Sequence, residues 1–187
     1  MSLGAHLLAS WLVPYPFQFS LRERRAIALA GVAPDLDGVG WIVDRVSAWG
    51  GASTDYYAQY HHLIAHNLIA ALVISLLASA FAAKHRLAVF LLSLFAVHLH
   101  FLCDVLGSRG SDGYQWPIPY LYPFSLQHEW VWSGQWELSS WQNMVITGAM
   151  LVLAVFLSWR RRYSFVEVIS ATLDREFFKM LARRGYV

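Results

Sequence analysis

Residues 61–104 read HHLIAHNLIAALVISLLASAFAAKHRLAVFLLSLFAVHLHFLCD, and this stretch decides the fold. No charged side chain occurs from Tyr56 to Ala83, nor from Leu87 to Cys103. A membrane-crossing helix needs about 20 mostly apolar residues, with about 17 as the lower limit. The two runs predict spans over 63–83 and 87–104. Only Lys84-His85-Arg86 separates them, so they form an antiparallel helical hairpin. A third uncharged run, Leu138 to Trp159, predicts a span over 143–159 that stops at Arg160-Arg161-Arg162.

Composition supports this reading. Of 187 residues, 57% are hydrophobic and 14% charged, against about 25% charged in ordinary soluble domains. A disordered chain is excluded. A soluble all-α protein with very apolar core helices is the competing reading, but three near-uncharged runs exceed what one small core requires. The net charge of +2 is too small for an electrostatic nucleic-acid binder. A single cysteine, Cys103, allows no intrachain disulfide. The fold class is therefore all-α: an integral membrane helical bundle with about three to four spans and a C-terminal amphipathic helix.

Two units follow, a membrane-embedded domain over 1–162 and a surface helix over 163–187. In the second, Phe165, Val168, Ile169, Leu173, Phe177 and Met180 recur at helical spacing beside Arg175, Lys179, Arg183 and Arg184. The N-terminal stretch Met1–Leu12 lacks the basic start and clean cleavage site of a signal peptide and is expected to stay as a helix. Residues 105–142 form a long connection rich in Gly, Pro, Trp and Tyr, suited to a membrane–water boundary. If three spans alternate, Lys84 and Arg86 fall on the same side as Arg160–Arg162, which makes that side cytoplasmic. Arg22, Arg24, Arg25, Arg45 and Arg109 are then expected on the opposite side.

Ionisable residues inside apolar spans are costly and point to function. Here they gather at one depth. His66 lies 19 residues before His85 and Asp104 lies 19 after it. In a hairpin rising about 1.5 Å per residue, both reach a level about 28 Å from the turn. His100 shares the helical face of Asp104 one turn away, and His62 stands in the same relation to His66. The His100-x-x-x-Asp104 pair can bind one metal ion through nitrogen and oxygen, a donor set suited to zinc and related divalent ions. Three histidines at 61, 62 and 66 face it. Pro34-Asp35-Leu36-Asp37-Gly38 adds two carboxylates in a turn. A set of hydrogen-bonded interface histidines and an Asx-type turn are the plain structural alternatives.

In order, these residues resemble a known pattern. Gly4-Ala5-His6-Leu7-Leu8, Ala33-Pro34-Asp35-Leu36-Asp37, His61 to Asn67, and His100 to Asp104 followed by Gly107 and Leu121-Tyr122-Pro123 are similar to the bacterial membrane-bound metal-dependent hydrolases, the LexA-binding inner-membrane-associated family. The likeness covers about residues 4–124. A more distant similarity is to zinc-dependent phospholipase C. The resemblance implies His6, Asp35, Asp37, His61, His66, His100 and Asp104 as metal ligands, with Asp35, Asp37 and Asp104 as catalytic candidates. His62 and Asn67 would support them, and Arg109 is a further candidate to stabilise developing negative charge, with an interfacial snorkelling role as its alternative. The chain departs from the pattern where His62, Ala65 and Asn67 stand for the family's Arg, Thr and Ser.

The expected function is a membrane-bound metal-dependent hydrolase of the bacterial inner membrane. It would act on a phosphoester in a lipid or amphiphilic substrate through a metal-bound hydroxide. The cofactor would be zinc, with more than one ion allowed by seven ligands. The site is expected on the extracytoplasmic side. A metal-stabilised scaffold or regulatory binding protein without catalysis is the alternative, and a proton relay or transporter is a third.

Overall fold

The computed structural model describes residues 1–185, so the last two positions of the 163–187 segment lie outside it. The elements are α1 (Leu3–Leu12), α2 (Leu21–Val32), a 3₁₀ segment (Ala33–Val39), α3 (Gly40–Trp49), α4 (Tyr56–Tyr60), α5 (Leu68–Ala80), α6 (Arg86–Gly107), β1 (Ile118–Pro119), β2 (Glu129–Trp130), α7 (Trp141–Arg161), α8 (Val166–Ile169) and α9 (Ala171–Arg183). The fold is an all-α membrane bundle. Helix α6 is central: α2 and α5 pack along it, α1 packs on α2, and α7 packs on α1. The only sheet among the described residues is the antiparallel β1–β2 pair, with Ile118 opposite Trp130.

The packing is that of a protein surrounded by lipid. The interior mixes a few large side chains, Trp11, Ile27 and Phe101, with many small ones: Ala28, Ala71, Ala96 and Ala154 are fully buried. A Cβ on Gly31 would lie 2.0 Å from Ser10 Oγ, so only glycine lets α1 and α2 approach there. Polar side chains within the helices close on their own backbone, as Ser75 Oγ does on the Ala71 carbonyl at 2.7 Å. Most large apolar side chains point outward instead. Leu76, Leu77 and Phe95 are each 58% exposed and Val152 is 71% exposed. Exposed apolar surface on this scale needs a non-aqueous neighbour.

Three helical stretches are long and apolar enough to cross a membrane: Leu21–Trp49, Arg86–Gly107 and Trp141–Arg161. The span expected over 63–83 is shorter. Helix α5 has 13 residues, about 20 Å of rise against a hydrocarbon core of about 30 Å. Residues 61–67 leave the helix for two reasons. His62 adopts a left-handed φ of 67°. Asn67 caps α5 by accepting from Ala70 N (2.9 Å) while donating to the carbonyls of Leu63 and Ile64. The capacity of 21–49 to cross rests on α2, the 3₁₀ segment and α3 running on without a break.

The structure also corrects the placing of three arginines. Ser20 and Glu23 form a capping box at the start of α2. The Glu23 carboxylate accepts as well from the backbone N–H groups of Lys84 (3.2 Å) and His85 (3.1 Å). The start of α2 therefore sits against the α5–α6 turn, and Arg22, Arg24 and Arg25 lie on the Lys84 side. Arg45 and Arg109 remain at the other end. The C-terminal segment is tied to the same basic end. Glu167 accepts from Arg24 (2.8 and 2.5 Å) and from Trp11 Nε1 (3.4 Å). Helix α9 turns Asp174 and Phe178 inward and leaves Leu173, Phe177 and Met180 exposed.

Candidate metal centre

The opposite end of the bundle holds a second set of buried ionisable residues. Helix α6 brings His100 and Asp104. The 61–67 turn brings His62 and His66, the 3₁₀ segment brings Asp35 and Asp37, and α1 brings His6. His6, His62, His66, His100 and Asp104 are each no more than 4% exposed.

The ring nitrogens are oriented by partners behind them. His100 Nδ1 donates to the Gly31 carbonyl at 2.8 Å. His66 Nδ1 donates to Asp37 Oδ2 at 2.9 Å. With both Nδ1 atoms engaged as donors, both Nε2 atoms carry lone pairs. They face each other at 3.1 Å. Asp104 Oδ2 lies 3.0 Å from His100 Nε2 and 3.6 Å from His66 Nε2. Asp35 Oδ1 lies 3.7 Å from His100 Nε2, and His6 Nε2 lies 3.2 Å from Asp104 Oδ1. Acceptors converging on one point repel unless a cation lies between them. Ligands about 2.0–2.1 Å from a tetrahedral zinc stand about 3.3 Å apart, which matches this spacing. The Met1 ammonium also contacts Asp104 Oδ1.

Three overlapping groups can hold a metal ion: His6, His100 and Asp104; Asp35, His66 and His100; His62, His66 and Asp104. Four buried polar atoms of these residues have no hydrogen-bond partner: His6 Nδ1, Asp35 Oδ2, His62 Nδ1 and Asp104 Oδ2. A buried polar atom left unpaired costs about 1–3 kcal/mol, so four of them on neighbouring residues call for a missing partner. The donor set and its unpaired atoms fit a divalent cation.

Of the residues singled out from the sequence, His6, Asp35, His66, His100 and Asp104 fall within these groups, and His62 joins them. Asp37 and His61 stand just behind. Asp37 accepts from His61 Nδ1 (2.9 Å), His66 Nδ1 (2.9 Å) and Ala65 N (3.1 Å), so its oxygens are turned toward the imidazoles. A carboxylate behind a ligating histidine fixes its tautomer and raises its basicity. Asn67 shapes the turn and Arg109 pairs with Glu137 at 3.5 Å. His98 faces away, bound to the Leu94 carbonyl and the Tyr120 hydroxyl. His128 is exposed beside Ser125.

Sequence reading missed three supporting residues. Gly31 supplies the carbonyl that holds His100. Gln135 Nε2 donates to the Asp104 carbonyl at 2.8 Å. Asn143 Nδ2 donates to the Gly107 carbonyl at 2.8 Å while its Oδ1 accepts from Trp136 Nε1 at 2.7 Å. Asn143 carried a signal, being an amide at the head of an apolar helix.

The electrostatics follow the carboxylates. Burial, then the charges of Asp35, Asp104 and Asp37, push the Tyr57 phenol up. Burial and the neighbouring His66 push the His62 imidazole well down. The centre opens on a cavity of about 750 Å³ lined by Asp35, His61, His62, Asp104, Tyr57, Trp41, Trp116 and Arg109.

Fold and site together define a polytopic all-α membrane protein with a buried histidine–aspartate centre that can take a metal ion. The chain belongs to the YdjM inner membrane protein family, whose family model matches residues 1–178. No curated protein and no solved structure matches it.

Proposed function

We propose that this protein is a metal-dependent hydrolase of the inner membrane, acting on a phosphoester of a lipid or amphiphilic substrate. The observation that carries the reading is the convergence of His66 Nε2, His100 Nε2 and Asp104 Oδ2 within 3.0–3.6 Å, each imidazole oriented from behind. His66, His100 and Asp104 would hold the ion, with His6, His62 and Asp35 around them. Zinc fits the nitrogen and oxygen donors, and the overlapping groups leave room for more than one ion. Bound there, a divalent ion supplies Lewis acidity and water acidic enough to attack at neutral pH.

The chain's own residues supply the rest. Hydrolysis adds hydroxide to phosphorus and a proton to the departing ester oxygen. Asp35, whose Oδ2 has no partner and whose side chain is 23% exposed, would take the water proton and return it. Asp37 keeps His61 and His66 in register. The cavity supports a catalytic rather than a purely structural centre, since a structural site is closed by protein ligands. Its rim of Trp41, Tyr57 and Trp116 suits an amphiphilic head group at a membrane boundary.

Charge segregation supports an extracytoplasmic site. Twelve of the fourteen Lys and Arg residues lie at the end bearing the α5–α6 turn, and only Arg45 and Arg109 lie at the site end. Eight of the twelve Asp and Glu residues lie with the site. The Lys/Arg bias favours the basic end as the cytoplasmic one.

The test is elemental metal analysis of detergent-purified protein beside His66→Ala and Asp104→Ala, with release of product from short-chain phospholipids measured on the same samples. We expect about one to three divalent ions per chain in wild type, more than about 90% of it lost in both variants together with turnover. Metal without turnover on any phosphoester would favour the scaffold reading, and wild type without metal would overturn the hydrolase reading.

A further inference from the structure

A second cavity, of about 670 Å³, runs between α2 and α5 on the lipid-facing side of the bundle. Its walls are apolar from Leu29, Ala30 and Ala33 on one side to Val73, Ile74 and Leu77 on the other. The exception is one end. There Arg22 and Arg25 line it, beside Phe81, over whose ring the Arg22 guanidinium sits at 5.9 Å. Neither arginine has a carboxylate within 4 Å among the described residues, whereas Arg24 between them is paired with Glu167. Arg25 spends Nε on the Val168 carbonyl at 3.2 Å.

The groove is thus an apolar trough about 20 Å long, the rise of the 13 residues of α5, closed at one end by two cations free of anionic partners. That length slightly exceeds one leaflet of a hydrocarbon core about 30 Å thick. Its basic end is the end that the charge segregation assigns to the cytoplasm. Lys84 and Arg86 stand nearby on the α5–α6 turn, also without carboxylate partners among the described residues. Basic pockets between membrane helices on this side select anionic head groups.

We infer that this groove is a binding site for an anionic phospholipid of the cytoplasmic leaflet. One acyl chain lies along α2 and α5, and the phosphate is held by Arg22 and Arg25. The site is separate from the histidine–aspartate centre: none of its Arg contacts touches the centre, and it does not depend on the hydrolase reading. Leu36 and Ala65, at its apolar end, adjoin Asp35 and His66 in sequence. A lipid seated here would therefore brace the two segments that carry those residues.

The experiment uses the full chain, delipidated in detergent, with thermal unfolding followed on adding phosphatidylglycerol, phosphatidylcholine of the same acyl chains, or inorganic phosphate. Phosphatidylglycerol is expected to raise Tm by about 5 °C. Phosphatidylcholine and phosphate should each move it by less than about 1 °C. The Arg22→Gln/Arg25→Gln variant should lose the phosphatidylglycerol increment. Val73→Trp, which fills the trough from the exposed side, should lose it too. Arg160→Gln/Arg161→Gln removes the same charge from the same end away from the groove and should keep it. Equal stabilisation by phosphatidylcholine would overturn the proposal. So would a wild-type response from the Arg22/Arg25 pair, or a loss as large in the Arg160/Arg161 pair, which would reduce the effect to general surface charge.

Discussion

The two ends of the bundle both bury ionised side chains, yet they treat them differently. At the basic end every buried acid is satisfied. Glu23 accepts from Ser20, Lys84 and His85, Glu167 from Arg24 and Trp11, and Asp174 from Ser164 through both its N–H and its hydroxyl. At the other end, buried imidazoles and carboxylates crowd within 3.0–3.7 Å of one another and four of their atoms find nothing. A closed network ties helices together and asks for no further partner. An open one of like acceptors keeps a place for a cation. The contrast separates a structural polar cluster from a functional one without reference to residue type, since both ends use carboxylates.

The contrast breaks first at Asp37, which looks like part of a closed network but serves the open one. Asp37→Ala removes the acceptor behind His61 and His66. It should weaken metal affinity by about 10–100-fold, measured by competition with a calibrated chelator. Unchanged affinity would place Asp37 with the structural residues. Glu23→Ala is the mirror test. It strands the N–H groups of Lys84 and His85 and should cost about 1–3 kcal/mol of stability, read as a drop of about 2–10 °C in Tm, with metal content unaltered. A loss of metal there would show the two ends to be coupled. The smallest effect on metal affinity is expected at Gly31, which belongs to both. Gly31→Ala drives a Cβ into Ser10 and should cost about 1–3 kcal/mol from overpacking. Through His100 it should lower metal affinity only a few-fold. Ser10→Gly in the same chain should restore the stability, which a double-mutant cycle would detect.

Much of this was legible in the sequence. The uncharged runs and the short Lys84-His85-Arg86 link mark the hairpin. Counting equally from His85 puts His66 and Asp104 at one level, and the structure puts their nearest atoms 3.6 Å apart. Other features depend on contacts that no periodicity encodes. The start of α5 is set by Asn67 and by the backbone at His62, so the apolar run from 63 overstates the helix. The side on which Arg22, Arg24 and Arg25 lie follows from Glu23 reaching the α5–α6 turn, a contact 61–62 residues away in sequence. The place of Asp37 behind the histidines rather than among the ligating groups is decided by which donors surround its oxygens. Gln135 and Asn143 are ordinary amides until the chain folds them onto the end of α6.

Trp116 has a consequence of an optical kind. Its ring centroid lies 5.3 Å from that of His61 and 5.7 Å from that of His62, at the rim of the cavity. Trp11 sits buried at the far end against Tyr15 and Tyr163. Of the nine tryptophans, Trp41 and Trp116 line the cavity beside the centre, whereas Trp11 is remote from it. A paramagnetic ion such as Co²⁺ bound at the centre would quench the emission of a variant that keeps only Trp116 and spare that of one that keeps only Trp11, so the pair gauges occupancy optically.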